Sequence, residues 1–227
     1  MKIDILTLFP EMFKGPFDES IIKRAQKKNL IEIKIHNLRK WADDKRGTID
    51  NRPFGGGTGM VLMIKPIDRA LDELKTQDSK VILLGPKGKV FDQKKAEELA
   101  KNKHLIFICG HYEGVDERVK EHLADEEISI GDYILTGGEL PTMVIVDSVV
   151  RLIPGVLEKP ESTQNESFSH LTSHVSPLLE YPQYTRPANF KGWQVPKVLL
   201  SGNHEKIDKW RKNEVLKITK KLRPDLV

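Results

Sequence analysis

The chain has a single cysteine, Cys109, in 227 residues. No disulfide can form within it, and a four-cysteine zinc site is excluded. A reducing cytoplasm is the expected compartment. No apolar run approaches the roughly 18 residues that span a bilayer. The opening Met1-Lys2-Ile3-Asp4-Ile5 places an acid where a secretion signal keeps its apolar core. Neither a membrane protein nor a secreted one is expected. The phosphate-gripping pattern G-x-x-x-x-G-K-[ST] is absent. So is G-x-G-x-x-G, even in the stretch Gly55-Gly56-Gly57-Thr58-Gly59. A nucleoside triphosphate held by its phosphates, or a standard dinucleotide, is therefore not expected. Internal repeats and low-complexity tracts are also missing.

What is present suits one large domain, or a domain with an appendage. Hydrophobic residues make up 38% and charged residues 31%, enough for both a core and a solvated surface. The net charge of +4 is modest, but its distribution is uneven. Residues 176–227 hold 11 lysines and arginines against 5 acids, whereas residues 1–175 hold 26 against 28. A basic tail on a near-neutral body points to a polyanionic partner, with a solvated helical face as the plainer alternative.

Apolar runs alternate with helical patterns through the first two thirds. Strands are expected over residues 2–9, 31–35, 81–84 and 105–109. Helices are expected over 19–28, from Pro66 to about 75, from a cap at Asp92 to about 102, over 116–122 and over 139–152. Residues 42–59 read as a long loop. Residues 128–135 are apolar but interrupted by Gly131-Asp132. This alternation predicts an α/β layer structure with a mainly parallel sheet over residues 1–157. Residues 158–175 are polar without apolar periodicity and read as an interdomain linker, or else a long surface loop. Residues 176–227 form the basic module, with a helix over about 205–221.

Three glycine-bearing turns follow apolar runs: Gly85-Pro86-Lys87-Gly88, Gly110-His111-Tyr112-Glu113-Gly114, and residues 131–138, which end in Gly137-Gly138. In parallel sheets ligands sit outside the carboxyl ends of strands, so three such turns could wrap one small molecule with backbone groups. Ordinary turn chemistry is the alternative. The glycine-rich loop over residues 50–60 carries Asp50, Arg52 and Phe54, and could bring a carboxylate to a substrate by closing. Cys109 ends an apolar run and reads as a small core residue. His170 and His174 are four apart, which suits a metal only on a helix, and no third ligand is evident. Ser201-Gly202-Asn203-His204 fits either a helix cap or an RNA contact. Trp193 and Trp210 read as core anchors of a small domain.

Several long motifs carry a family resemblance. They are residues 50–60 (Asp-Asn-Arg-Pro-Phe-Gly-Gly-Gly-Thr-Gly-Met), 109–118 (Cys-Gly-His-Tyr-Glu-Gly-Val-Asp-Glu-Arg), 129–141 (Ser-Ile-Gly-Asp-Tyr-Ile-Leu-Thr-Gly-Gly-Glu-Leu-Pro) and 153–157 (Ile-Pro-Gly-Val-Leu). Residues 181–187 and 195–204 extend it into the tail. Together they resemble the bacterial tRNA (guanine-37-N1)-methyltransferases, over nearly the whole chain and in order. The resemblance implies a SPOUT-class fold with a deep trefoil knot and a small C-terminal helical domain. It also implies a homodimer with shared active sites, tRNA as substrate, and S-adenosylmethionine as methyl donor. By the same resemblance the three turns cradle that cofactor. The residues are Leu84, Pro86, Gly88, Gly110, Tyr112, Gly114, Ile130, Gly131, Asp132, Tyr133, Ile134 and Leu135, with Gly137, Gly138 and Pro141 close by.

N1 of guanine carries a proton and becomes a nucleophile only when that proton leaves, a task for a carboxylate within hydrogen-bond reach. Negative charge then builds on O6, where a fixed arginine or a magnesium ion lowers the barrier. The family's base is an aspartate in the linker. Here the matching stretch Asn165-Glu166-Ser167-Phe168 puts Glu166 in that position, one methylene longer. Arg151 matches the arginine that faces O6. Asp50, Glu113, Ser201, Asn203 and His204 are carried over as substrate contacts, with Glu113 also a candidate for magnesium. His111 stands where other members carry arginine, and its role stays open.

Overall fold

The computed structural model describes residues 1–159, 166–169 and 178–227. They fall into two compact units, Met1–Glu158 and Lys159–Val227. The first unit runs β1 (Lys2–Thr7), α1 (Ser20–Lys27), β2 (Glu32–Asn37), β3 (Asp50–Asn51), β4 (Val61–Leu62), α2 (Ile64–Leu74) and β5 (Ser79–Val90). It continues with α3 (Gln93–Leu99), β6 (His104–Cys109), β7 (Glu126–Ser129) and α4 (Glu139–Val150).

Five strands form one sheet in the order β2-β1-β6-β5-β7. Every pairing in it is parallel. Alternate side chains leave a strand on opposite faces, and both faces here are covered. Ile3, Ile5, Ile82, Leu84, Leu105, Phe107 and Cys109 pack with α1, α3 and α4. Leu6, Val81, Leu83, Ile106 and Ile108 pack with α2 and Val119 on the other side. Cover on both faces explains why β6 is an unbroken apolar run after His104, with all six residues buried.

One polar cluster interrupts this core. Lys2, Asp4 and Leu6 share a face of β1, and register places His36 and His104 beside them. Asp4 is wholly buried. Its carboxylate meets His36 Nε2 at 2.6 Å, His104 Nε2 at 2.7 Å and Lys2 Nζ at 2.7 Å. Burial alone would raise its pKa. The hydrogen bonds from His36, Lys2 and His104 outweigh that and hold the carboxyl well below the usual range.

Several expectations are corrected. Strand β5 does not stop at Leu84. It runs on to Val90 and rejoins β7 after a register shift between Leu84 and Lys89. The expected helix over 116–122 is a single π-turn, Val119–Leu123. The loop over 42–59 ends in a short antiparallel ladder, with Asp50 opposite Leu62. The apolar stretch 128–135 is strand only as far as Ser129.

The second unit carries a hairpin, β8 (Asn189–Phe190) with β9 (Trp193–Gln194), and the helix α5 (His204–Leu222). Tyr184 and Tyr181 pack on α5 against Trp210 and Arg211. Leu179 N–H donates to the buried Thr219 hydroxyl at 3.0 Å. Trp193 is not a core anchor. It is 73% exposed and touches Phe190 across a hairpin too short to bury it. Among the described residues no helix is long and apolar enough to cross a membrane.

Candidate active site

Strands β5, β6 and β7 are neighbours and parallel, so the chain leaves all three at one end of the sheet. The irregular middle of β5 at Leu84-Gly85-Pro86, the turns after β6 and β7, and the start of α4 enclose a cleft. Its lining takes in Leu84, Pro86, Gly110, Tyr112, Gly114, Ile130, Gly131, Tyr133, Ile134, Leu135, Gly137, Gly138 and Pro141. Gly85, His111, Ile128 and Ser129 complete it. Thirteen residues singled out from sequence are therefore brought together. Gly88 and Asp132 are outside this lining. Gly88 instead backs onto β7, where a Cβ would sit 2.5 Å from the Glu127 carbonyl carbon.

The backbone explains the glycines. Gly138 N–H donates to Gly110 O at 2.8 Å, tying the α4 entrance to the end of β6. A Cβ on Gly138 would lie 2.7 Å from Cys109 Cα, so no side chain fits. Tyr112 adopts φ 59°, a left-handed conformation that costs a non-glycine residue about 1–2 kcal/mol. His111 O accepts from Gly114 N–H at 3.0 Å and closes the turn that imposes it. Strain of this kind collects at ligand sites.

Among the described residues the lining holds no lysine, arginine, aspartate or glutamate. Its walls are backbone, apolar side chains, two tyrosines, a serine and His111. Such walls can grip a small ligand by shape and by backbone donors and acceptors.

Beside the cleft, the β3–β4 ladder carries Asp50 and the glycine-rich loop. Leu62 N–H donates to Gly114 O, and Glu113 N–H donates to Met60 O, both at 3.0 Å. A Cβ on Gly59 would fall 2.5 Å from Glu113 Cγ. Asp50 and Glu113 thus belong to adjoining loops. Cys109 is buried, and its Sγ lies 3.2 Å from Thr142 Oγ1. Burial pushes the thiol pKa up and the Glu139 charge adds to this, so Cys109 is a core residue and no nucleophile.

Arg151 caps the C-terminal end of α4, whose other end enters the cleft. Twelve helical residues span roughly 18 Å, so within one copy Arg151 is a helix length away from its own cleft.

Glu166 belongs to the second unit. Its carbonyl accepts from Ser169 N–H at 3.2 Å. Ser167 Oγ accepts from Glu180 N–H at 3.0 Å, and Arg223 stacks on the Phe168 ring. Asn203 caps α5 by accepting from Lys206 N–H at 3.0 Å, and Ser201 Oγ accepts from Asn203 N–H at 3.2 Å. His204 opens the helix and is exposed. His170 and His174 lie outside the described residues. Among the described residues no three His, Cys, Asp or Glu side chains are grouped to hold a metal ion. Sequence reasoning missed His111 as a wall of the cleft and Glu139 beneath it. The adjacent Gly137-Gly138 pair was the signal: Gly137 makes room for His111 and Glu139, and Gly138 for Cys109 and Gly110.

The model of the tRNA (Guanine-1)-methyltransferase TrmD family matches residues 1–227. The chain belongs to that family. A relative from Dictyoglomus turgidum, named tRNA (guanine-N(1)-)-methyltransferase, is 60% identical over 227 residues, covering 100% of this chain and 90% of its own. Relatives of the same name from Anoxybacillus flavithermus and Bacillus subtilis are 57% and 54% identical over 230 residues. They cover 100% of this chain, and 91% and 92% of their own lengths. Membership makes the chain a methyltransferase, and the cleft is the feature of its first unit to which that chemistry can be referred.

Proposed function

We propose that the protein transfers a methyl group from S-adenosylmethionine to N1 of guanine 37 in the tRNA anticodon loop. The observation that carries this reading is the convergence of three glycine-bearing segments on one cleft, whose lining among the described residues has no lysine, arginine, aspartate or glutamate, in a chain of this family. S-adenosylmethionine, when bound, supplies a methyl group already activated by its sulfonium. Backbone groups of the three turns, with Leu84, Ile130 and Leu135, hold and orient it. We read the cofactor-binding part as a SPOUT-type trefoil knot.

The protein's remaining tasks are deprotonation and charge stabilisation. Glu166 takes the N1 proton as general base. Arg151 stabilises the negative charge that develops on O6. Because Arg151 is a helix length from its own cleft, the site is completed by a second copy, in a homodimer. The exposed apolar residues Leu140 and Val144 on α4 support such a contact. The guanine must leave the anticodon stack, which a single-stranded loop permits at modest cost. Lysines and arginines of α5 contact phosphates. The boundaries at 157 and 176 separate the cofactor part from the tRNA-holding part.

The test is Glu166→Gln. Turnover should fall by about 10²–10⁴, the usual contribution of a general base, with S-adenosylmethionine affinity unchanged. Normal turnover would remove Glu166 from the base position.

A further inference from the structure

Under the cleft two polar atoms are left over. Glu139 opens α4 and is 1% exposed. Its Oε1 accepts from Thr7 Oγ1 at 2.7 Å, and Thr7 in turn accepts from Phe9 N–H at 2.9 Å. Its Oε2 is buried with no hydrogen-bond partner among the described residues, and His111 Nδ1 is in the same condition. Buried polar atoms are nearly always paired, so two orphans side by side call for a reason.

Gly137 brings them together. A Cβ built there would collide with both Glu139 Oε2 and His111 Nδ1, the latter at 2.6 Å. The two atoms therefore border the same space, the one a missing side chain leaves, and no hydrogen bond joins them as they stand. The bridge between His111 and Gly137 holds this arrangement from the backbone. Phe9 and Tyr112 flank the imidazole, each with its ring centroid 4.8 Å away. His111 itself lines the cleft.

A carboxylate is an acceptor only, whereas a neutral imidazole donates from one nitrogen and accepts at the other. With Nδ1 and Glu139 Oε2 as unpartnered neighbours beside Gly137, a proton on Nδ1 is the arrangement that lets a small side-chain adjustment pair both. We propose that Glu139 is a positioning residue: it keeps the His111 proton on Nδ1, so that Nε2 offers a lone pair to an N–H or O–H group of the ligand in the cleft. The tautomer is set by the partner of the other nitrogen, as in metal-bound histidines. The ligand half of this proposal rests on the cleft being the cofactor site.

The first test needs no variant. Nitrogen-15 NMR of the histidine side chains in the full chain should show His111 with a protonated Nδ1 and an unprotonated Nε2 at neutral pH, the signal being identified by its loss in His111→Gln. A protonated Nε2, in the other tautomer or in an imidazolium, overturns the proposal. The second test is Glu139→Gln, which keeps the shape but lets the amide donate to Nδ1. The proton should move to Nε2, and S-adenosylmethionine affinity measured by calorimetry should fall about tenfold, the worth of one hydrogen bond. Unchanged affinity with a shifted tautomer overturns the positioning role. If the unaltered protein fails to bind S-adenosylmethionine, the cofactor reading of the cleft fails, while the tautomer measurement still decides whether Glu139 holds the proton.

Discussion

Replacing Gly138 by alanine tests whether the cleft is built as described. Gly138 has φ −83°, which alanine adopts without strain, so the cost is steric alone. The new methyl would lie 2.7 Å from Cys109 Cα, 3.0 Å from Gly110 N and 3.2 Å from Cys109 C. Ordinary contact begins at 3.4 Å, so the end of β6 must retreat from 2.7 Å to at least that distance. It has little room. Cys109 is 1% exposed and packs on Thr142, and the strand is paired on both sides. Overpacking of this kind costs about 1–3 kcal/mol. The Gly138 N–H to Gly110 O hydrogen bond would also lengthen and shift the His111–Tyr112 turn. Gly110→Ala is the matched control, since its nearest neighbour is Leu84 O at an ordinary 3.5 Å. Urea unfolding should show Gly138→Ala destabilised by about 1–3 kcal/mol. Gly110→Ala should stay within about 0.5 kcal/mol. Calorimetry should show S-adenosylmethionine binding weakened at least about tenfold in Gly138→Ala, the equivalent of 1.4 kcal/mol. Equal stability and equal affinity in Gly138→Ala and the unaltered protein would refute the close approach of these two turns.

Other outcomes follow from the core. Asp4 has a folded pKa held below its unfolded value, so its contribution to stability is present above about pH 4 and is lost as pH falls further. Asp4→Asn should cost about 3–5 kcal/mol at pH 7, and the difference should shrink at pH 3; an equal difference at both values would contradict the charged cluster. The Cys109 thiol should react with a thiol reagent only on the timescale of unfolding at pH 7, so rapid labelling of the folded chain would contradict its burial. Binding of tRNA should weaken steeply between low and moderate salt, and a flat response would remove the basic second unit from phosphate contact.

Much of the sheet was legible because its physics is local. The central strands are apolar on both faces, so β1, β5 and β6 read as continuous runs, and half-buried β2 as an alternation. The glycine segments after β6 and β7 were legible as turns, whereas Gly85-Pro86-Lys87-Gly88 proved to be an irregular stretch within β5; all three meet in one cleft because the strands are parallel neighbours. Non-local features were hidden. Asp4 and His104 are 100 residues apart, and nothing in either neighbourhood announces the contact. The continuation of β5 through Gly85-Pro86-Lys87-Gly88 depends on β7, which accepts the strand again only after the register shift at Lys89. Trp193 misled because aromatic residues usually anchor small cores, whereas a hairpin of two-residue strands has no interior to offer. Glu139 read only as the first residue of an apolar helix. Only the fold shows its carboxylate under His111.

The central claim is methyl transfer to one nitrogen of one base. It is tested most directly with S-adenosylmethionine labelled in its methyl group and two anticodon-bearing tRNA transcripts, one with guanine 37 and one with that base replaced. Label entering only the guanine 37 transcript, mapped to N1, is the predicted result. Label entering both transcripts, or neither while RNA and cofactor still bind, would contradict it.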